Sequence, residues 1–315
     1  MQTTLDIVLP IFGLILCGFL VGRTRLMGAA GIAGLGNFVF YVAIPALLIR
    51  TLGRGGFPDD IDFGIIGAYF VGALLVAIPA LLMGRLVFRI TFDEQVLFAM
   101  ASVFANTVMI GIPLIVTAFG ERGLVPILMI VAFHSLLLLS IPTVLIEISR
   151  GRGRRAIDSV KTTALALVQN PVLLSLVAGI ALHAAGGTLP GPIDRFLELL
   201  GQAATPCALF ALGATLTQFR IAGNLAESLT ATLFKLTLHP LLVWLLGVYV
   251  FNVEPLWVAT ATITAALPTG ANVFILAQKY DTYLQRAAST VVLSTAGSIV
   301  SVAILVAYFV ATIDG

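Results

Sequence analysis

The chain has 315 residues, of which 59% are hydrophobic and only 10% are charged, and its mean hydropathy is +1.09. Soluble globular chains contain about 45–50% apolar and about 25% charged residues. The 17 Lys and Arg and 15 Asp and Glu residues are therefore too few to cover a water-exposed surface. The formal net charge of +2 excludes a strong field for nucleic acid. Cys17 and Cys207 both lie in apolar segments, so neither a disulfide framework nor a zinc site is predicted.

Apolar stretches separated by charged residues, glycine or proline predict an all-α membrane protein with ten transmembrane helices. The predicted spans are 5–22, 31–51, 62–84, 95–119, 123–148, 163–185, 194–217, 226–250, 255–279 and 286–311. The N-terminal MQTTLD lacks the basic region and cleavage site of a secretory signal. We therefore expect the first apolar segment to remain in place as a membrane helix.

The Lys and Arg residues of the connections predict the orientation in the cell (inner) membrane. Twelve lie in connections after odd spans, against four in connections after even spans. Because basic residues are retained on the cytoplasmic side, both termini are expected on the outer side. The basic run over 151–161 is interpreted as a short cytoplasmic connector, with lipid or partner binding as the alternative.

Proline and glycine landmarks recur at one offset of 161 residues, which indicates an internal repeat. The matching pairs are Pro10 and Pro171, Gly18 and Gly179, Pro45 and Pro206, and Pro79 and Pro240. Since five spans is an odd number, the second copy enters the membrane from the opposite face. The five-helix units 1–150 and 162–315 are thus predicted to form an inverted repeat, a transporter architecture with its binding site near the bilayer midplane.

The fourth and ninth predicted spans are interrupted near their middle, at FANTVMIGIPLI (104–115) and AALPTGANVFIL (265–276). Proline removes a backbone donor, and free backbone groups at bilayer depth are tolerated only inside protein or beside a water-filled cavity. We expect two broken helices whose later halves direct free N–H groups at an anion such as a carboxylate, with a simple proline kink as the alternative. The predicted substrate-binding residues are Asn106, Thr107, Gly111, Pro113, Pro268, Thr269, Gly270, Asn272 and Lys235.

Three basic or titratable side chains at membrane depth are candidates for ion coupling. Lys235 is expected roughly 15 Å into its span, from the helical rise. It is read as a countercharge for the anion, as a proton-coupling group, or as a structural partner for half-helix carbonyls. His239, on the same helix face, and His134 are each read either as pH-sensitive groups or as packing residues.

No catalytic, cofactor or Walker motif is present in the sequence, so we expect neither an enzyme nor an ATP-driven pump. Energy for movement would then come from ion or substrate gradients.

At NTVMIGIPL, NPVLLSLVAG, KLTLHPLL and LPTGANVFILAQKYD, the sequence resembles the auxin efflux carrier family of permeases, in its compact bacterial form. The resemblance covers the full chain. It implies a fold similar to bile-acid/sodium symporters and sodium/proton antiporters, with a scaffold domain, a transport domain and two broken helices that cross at the site. It also implies a homodimer, and a pocket lined by Asn106 and the peptides before Pro113 and Pro268.

Two departures limit what the resemblance implies. The loop between the fifth and sixth predicted spans is short, and Gly64 to Met83 carries no charge. The long regulatory loop and the charged support pair of the plant relatives are therefore not carried over.

The expected function is secondary active transport of a small organic carboxylate by alternating access. The resemblance indicates malonate, malate or an auxin-like weak acid as substrate, with a proton or sodium as the possible coupling ion. One alternative is a sodium- or proton-coupled cation antiporter or a bile-acid-type symporter; the antiporter calls for an acidic residue at the crossing, where none is found. Another is a membrane sensor that does not transport.

Overall fold

The computed structural model describes residues 2–24, 26–55, 61–151, 153–186 and 189–313. Within these ranges the chain is helical and contains no β-strand, apart from a single antiparallel bridge between Ala105 and Thr269. The α-helices are α1 Gln2–Gly22, α2 Ala29–Phe38, α3 Ile44–Gly53, α4 Gly64–Met83, α5 Phe92–Ala101, α6 Ile112–Phe119, α7 Leu124–Ser149, α8 Gly153–Val168, α9 Pro171–Ala184, α10 Gly191–Gln202, α11 Ala204–Leu216, α12 Leu225–Leu233, α13 His239–Tyr249, α14 Pro255–Ala265, α15 Asn272–Tyr280 and α16 Leu284–Ile313.

Four π-helical turns adjoin these helices, at Val39–Ala43, Gly84–Phe88, Thr107–Gly111 and Phe234–Leu238. Three of them come directly before a helix whose second residue is proline, namely Pro45, Pro113 or Pro240. Proline lacks the N–H that would complete the regular ladder, and a π turn locally rearranges the hydrogen bonds around that gap. The proline positions thus account for most of the irregular helix geometry.

Within the described ranges, six helical stretches are long and apolar enough to cross a membrane, which makes this an integral membrane protein. They are Ala29–Gly53, Gly64–Phe88, Thr107–Ser149, Gly191–Leu216, Leu225–Tyr249 and Leu284–Ile313. Shorter apolar helices cover Ile7–Gly22, Pro171–Ala184 and Pro255–Ala265.

The predicted sixth span and connector differ from the observed helices. Helix α8 begins at Gly153, inside the predicted connector 151–161, and the helical structure is interrupted at 169–170, inside the predicted span 163–185. The reason is a local capping signal: Asn170 accepts a hydrogen bond from the Val172 N–H at 2.9 Å, and Pro171 occupies the first helical position. Arg152 of the predicted connector lies outside the described residues, as do Met1 and residues 314–315 at the two termini.

The helices pack into two groups. The flanking group consists of α1–α3 and α9–α11, in which α1 packs on α11 and α3 packs on α9 and α10. The crossing group consists of α4–α7 and α12–α16, in which α4 packs on α5 and α13, and α16 packs on α12, α14 and α15. Helix α8 packs on α7, and the two groups meet where α1 contacts α16 and where α11 contacts α6.

Helices α1 and α11 approach so closely that glycine is required at their contact. A Cβ atom on Gly18 would collide with the carbonyl oxygen of Phe210, and one on Gly213 would collide with that of Ile15. Small residues at membrane helix interfaces allow this close backbone approach, and packing then replaces the hydrophobic effect as the source of stability.

The contact between α9 and α3 has the same form. A Cβ atom on Gly179 would lie 2.7 Å from the Leu52 Cβ and 3.3 Å from the Leu48 carbonyl oxygen. Gly179 is the predicted repeat counterpart of Gly18. The first helix of each predicted unit therefore packs, through an equivalent glycine, on the second helical stretch of the other unit.

We expect Gly18→Ala to lower the melting temperature of the detergent-purified protein by several degrees, because α1 and α11 must separate to admit a methyl group. Overpacking of this kind costs about 1–3 kcal/mol. The matched control is Gly13→Ala in the same helix, where a Cβ meets no atom within 4 Å. Equal melting temperatures for the two variants, measured by thermal size-exclusion chromatography, would contradict the close approach.

Candidate functional site

Two non-helical segments lie inside the crossing group. Helix α5 ends at Ala101 and the next helical turn begins at Thr107, while α14 ends at Ala265 and α15 begins at Asn272. The segments 102–106 and 266–271 therefore expose backbone groups that a continuous helix would pair internally. At membrane depth these groups need partners within the protein.

The two segments satisfy part of this requirement by pairing with each other. The Asn106 N–H donates to the Pro268 carbonyl at 3.0 Å, and the Gly270 N–H donates to the Phe104 carbonyl at 3.1 Å. These reciprocal bonds form the bridge between Ala105 and Thr269. Residues more than 160 positions apart in the sequence are thereby held side by side.

Side chains satisfy the two remaining N–H groups of the bridge. The Thr269 N–H donates to Ser294 Oγ at 3.0 Å, and the Ala105 N–H donates to His134 Nε2 at 3.1 Å. The Thr269 hydroxyl donates to the Ala101 carbonyl at 2.8 Å. All of these residues are buried, so each bond replaces one that water cannot make.

The helices that start beyond the bridge have free N–H groups. In the part of the chain that the structure describes, the N–H groups of Thr107, Val108, Ala271 and Asn272 make no hydrogen bond. Asn106 Oδ1 caps the first of these starts by accepting from the Met109 N–H at 3.3 Å. Both starts carry the positive end of a helix dipole.

A cavity of about 770 Å³ lies at these two helix starts, between the crossing group and the flanking group. None of the lining residues that the structure describes is charged. The lining side chains with polar atoms, tyrosine aside, are Asn106, Thr107, His134, Ser135, Gln169, Asn170, Thr215 and Asn272. An uncharged cavity rich in hydrogen-bond donors can accommodate an anion only through those donors and the helix dipoles.

The predicted substrate-binding residues divide into two sets. Those that line the cavity are Asn106, Thr107, Gly270 and Asn272. Those that do not are Gly111, Pro113, Pro268, Thr269 and Lys235. A Cβ on Gly111 would lie 2.9 Å from a Leu267 methyl and 3.0 Å from an Ile127 methyl, so this glycine serves helix packing.

Lys235 is fully buried, and its Nζ donates a hydrogen bond to the carbonyl of Ala265, the last residue of α14. A cation at the C-terminal end of a helix interacts favourably with the negative end of the dipole. This contact is the one expected of a structural partner for half-helix carbonyls. His239, four residues further on, is also fully buried and packs against Tyr69 with 5.2 Å between ring centroids.

The flanking group contributes a wall that the sequence interpretation missed. Tyr41, Gln169, Asn170 and Thr215 all line the cavity. The sequence did contain a signal for the start of α9, because Asn170 and Pro171 are typical of a helix start and Pro171 is the repeat counterpart of Pro10. Nothing in a single sequence shows that this helix start lies beside the bridge.

Ion pairs between residues that are not among those lining the cavity hold the ends of the crossing-group helices together. Arg286 of α16 pairs with Glu94 of α5 and, at 2.9 Å, with Glu227 of α12. Arg150, directly after α7, pairs with Asp93 of α5 at 2.6 Å. These contacts fix the helix that leads into the first non-helical segment.

We expect Ser294→Ala to lower the melting temperature, because the buried Thr269 N–H loses its acceptor. Leaving such a donor unsatisfied costs about 1–3 kcal/mol. Ser298→Ala is the matched control, since this buried serine on the same helix donates only to the Thr295 carbonyl of its own helix. If both variants melt at the same temperature, the serine does not support the bridge.

Comparison with known proteins places the chain among transport proteins. The family model described as "Membrane transport protein" matches residues 3–306. A Rhizobium meliloti protein named "Putative malonate transporter" is 32% identical over 305 residues, which is 94% of this chain and 92% of that protein.

More distant relatives include an uncharacterized transporter of Methanocaldococcus jannaschii, 23% identical over 95% of this chain and 97% of that protein. A mouse protein named "Lysosomal cholesterol signaling protein" is 26% identical over 66% of this chain, but this match covers only 25% of the mouse protein.

Proposed function

The chain belongs to the membrane transport protein family, the auxin efflux carrier family that the sequence resembles, and we propose that it is a secondary active transporter of small organic carboxylates. The family and the bacterial and archaeal relatives are named as transporters and not as enzymes. Substrate, coupling and membrane orientation are the parts that we propose.

The observation that carries the proposal is the set of free donors at the cavity. The N–H groups of Thr107, Val108, Ala271 and Asn272 are unpaired at two helix starts, and all four residues line the cavity. A carboxylate only accepts hydrogen bonds, so donors without acceptor partners match its chemistry. The amide nitrogen of Asn106 adds a fifth donor beside them.

The absence of charge from the cavity lining argues against cation transport. A sodium- or proton-coupled cation antiporter needs a carboxylate at its site, and no aspartate or glutamate is among the described residues that line this cavity. The volume of about 770 Å³ lies within the range of small-molecule sites.

Malonate is the first substrate to consider, because the bacterial relative that matches nearly the whole chain carries that name. A dicarboxylate has a second anionic group that also needs a binding position. The start of α9, at Asn170 and Pro171, offers that position, because it lines the same cavity from the flanking group. Malate and auxin-like acids remain in the same substrate class.

We propose alternating access by movement of the crossing group against the flanking group, with a proton or sodium as coupling ion. Lys235 and His239 are the proposed coupling residues. The proposed architecture has ten spans, a 5+5 inverted repeat, broken fourth and ninth helices and both termini outside. Support for the repeat comes from the equivalent glycine contacts of α1 with α11 and of α9 with α3. Assembly as a homodimer rests on the family resemblance.

A non-transporting sensor is the second candidate, because one relative is named as a signaling protein. Such a protein would bind its ligand at the same cavity without moving it. Ligand binding with no uptake into vesicles would therefore favour the sensor.

We expect a panel of small carboxylates to raise the melting temperature of the purified protein, because a ligand that binds only the native state stabilises it by mass action. The panel contains mono- and dicarboxylates, indole acids and bile acids, each with and without sodium and at several pH values. Stabilisation by sodium alone would favour cation transport. A flat response to every acid would contradict the proposed substrate class.

We expect Asn106→Asp to abolish carboxylate binding and uptake while the protein remains folded. The aspartate keeps the acceptor for the Met109 N–H but replaces the amide donor with a negative charge beside the bound anion. Asn106→Ala, which loses both, should also fail to transport. Asn252→Asp is the matched control, since it adds the same charge outside the cavity lining at a left-handed position that aspartate tolerates. Normal uptake by Asn106→Asp would remove this residue from the site.

A further inference from the structure

The imidazole of His134 is held in one defined tautomer. Its Nε2 lies 3.1 Å from the backbone nitrogen of Ala105, which carries a proton and can only donate. Nε2 must therefore accept, so it carries no proton in this arrangement. A neutral ring then has its proton on Nδ1.

This Nδ1–H group is a buried donor without a partner. The His134 side chain is only 1% exposed, and Nδ1 makes no hydrogen bond to any residue that the structure describes. The ring is fixed between Phe104, at 4.5 Å between centroids, and Tyr69, at 6.0 Å. A buried donor without a partner is costly, and this one belongs to a residue that borders the cavity.

The ring borders the cavity, but Nδ1 itself is buried, so a ligand in the cavity reaches this donor only when the surrounding side chains shift. His134 lines the same cavity as Asn106 and the helix starts at Thr107 and Asn272. The Ala105 N–H that fixes the ring belongs to the bridge that positions those starts. His134 therefore contacts both the bridge, through the Ala105 N–H, and the cavity.

We propose that His134 contacts the substrate as a neutral residue, donating its Nδ1–H to the carboxylate. The inference rests on the proposed function and defines the site further. Every polar group assigned to the anion is then a donor, which favours a carboxylate over an amide, because the amide N–H groups would find no acceptor among them. It also separates His134 from proton coupling, because a ring protonated on Nε2 would lose its bond to Ala105.

Two isosteric variants separate the two nitrogens. Asparagine places its amide group where Nδ1 lies, so His134→Asn keeps the cavity donor and loses the acceptor for Ala105. Glutamine places its amide group near Nε2, so His134→Gln keeps that acceptor and loses the cavity donor. We expect His134→Gln to melt near the wild-type temperature but to bind malonate at least tenfold more weakly. We expect His134→Asn to melt lower and to bind malonate within about threefold of wild type.

The opposite pattern, with binding kept by glutamine and lost by asparagine, would show that only the bond to Ala105 matters. Equal binding by both variants, or loss in both while they remain folded, would also overturn the proposal. A wild-type protein that binds neither malonate nor any other acid of the panel instead rejects the proposed function.

The tautomer is measured separately by nitrogen NMR of protein labelled with ¹⁵N-histidine. The chain has three histidines, and the spectrum of His134→Gln assigns the signal. We expect a protonated Nδ1 and an unprotonated Nε2, with Nδ1 shifting when malonate is added. A protonated Nε2 would contradict the inference whether or not malonate binds.

Discussion

The pairing of two non-helical backbone segments at membrane depth is the constraint on which the rest of the structure depends. Lipid offers no hydrogen bonds, so each N–H and carbonyl group that leaves a helix needs a partner in the protein. Here the bridge pairs Asn106 with Pro268 and Gly270 with Phe104. Ser294 and His134 satisfy the two N–H groups that the bridge leaves over. The surrounding helices are positioned to supply these partners.

The same pairing leaves the proposed site with free donors. Because the bridge uses its own N–H groups internally, the unpaired donors are those one or two residues further on, at the starts of the next helical turns. They lie where the crossing group meets the flanking group, so movement between the two groups would open or close the cavity around its ligand. Binding and conformational change would then depend on one interface. Lys235 stabilises this arrangement by donating a hydrogen bond to the carbonyl of Ala265, the last residue of α14.

Much of the fold was predictable because lipid imposes simple rules on composition. The apolar stretches indicated a helical membrane protein. The non-helical segments 102–106 and 266–271 contain Asn106, Pro268 and Gly270, whereas Gly111 and Pro113, which also pointed to a break, lie in helical turns after the first segment. The site was predictable only in part. The local sequence pattern singled out Asn106 and Asn272, which line the cavity. It could not show that the Thr269 hydroxyl donates to the Ala101 carbonyl or that Lys235 Nζ donates to the Ala265 carbonyl. These hydrogen bonds join residues that are far apart in the sequence. Asn170 is likewise distant in sequence from Asn106 and Asn272, although all three line the same cavity.

The most direct test of the account is uptake of labelled malonate into proteoliposomes, with unlabelled malonate or malonamide as competitor. The two competitors have nearly the same size and shape, but only malonate carries carboxylates that accept from every donor at the helix starts. We expect uptake of labelled malonate to be abolished by unlabelled malonate and left unchanged by malonamide. Equal competition by malonamide, or no uptake of any small carboxylate by folded protein, would contradict it.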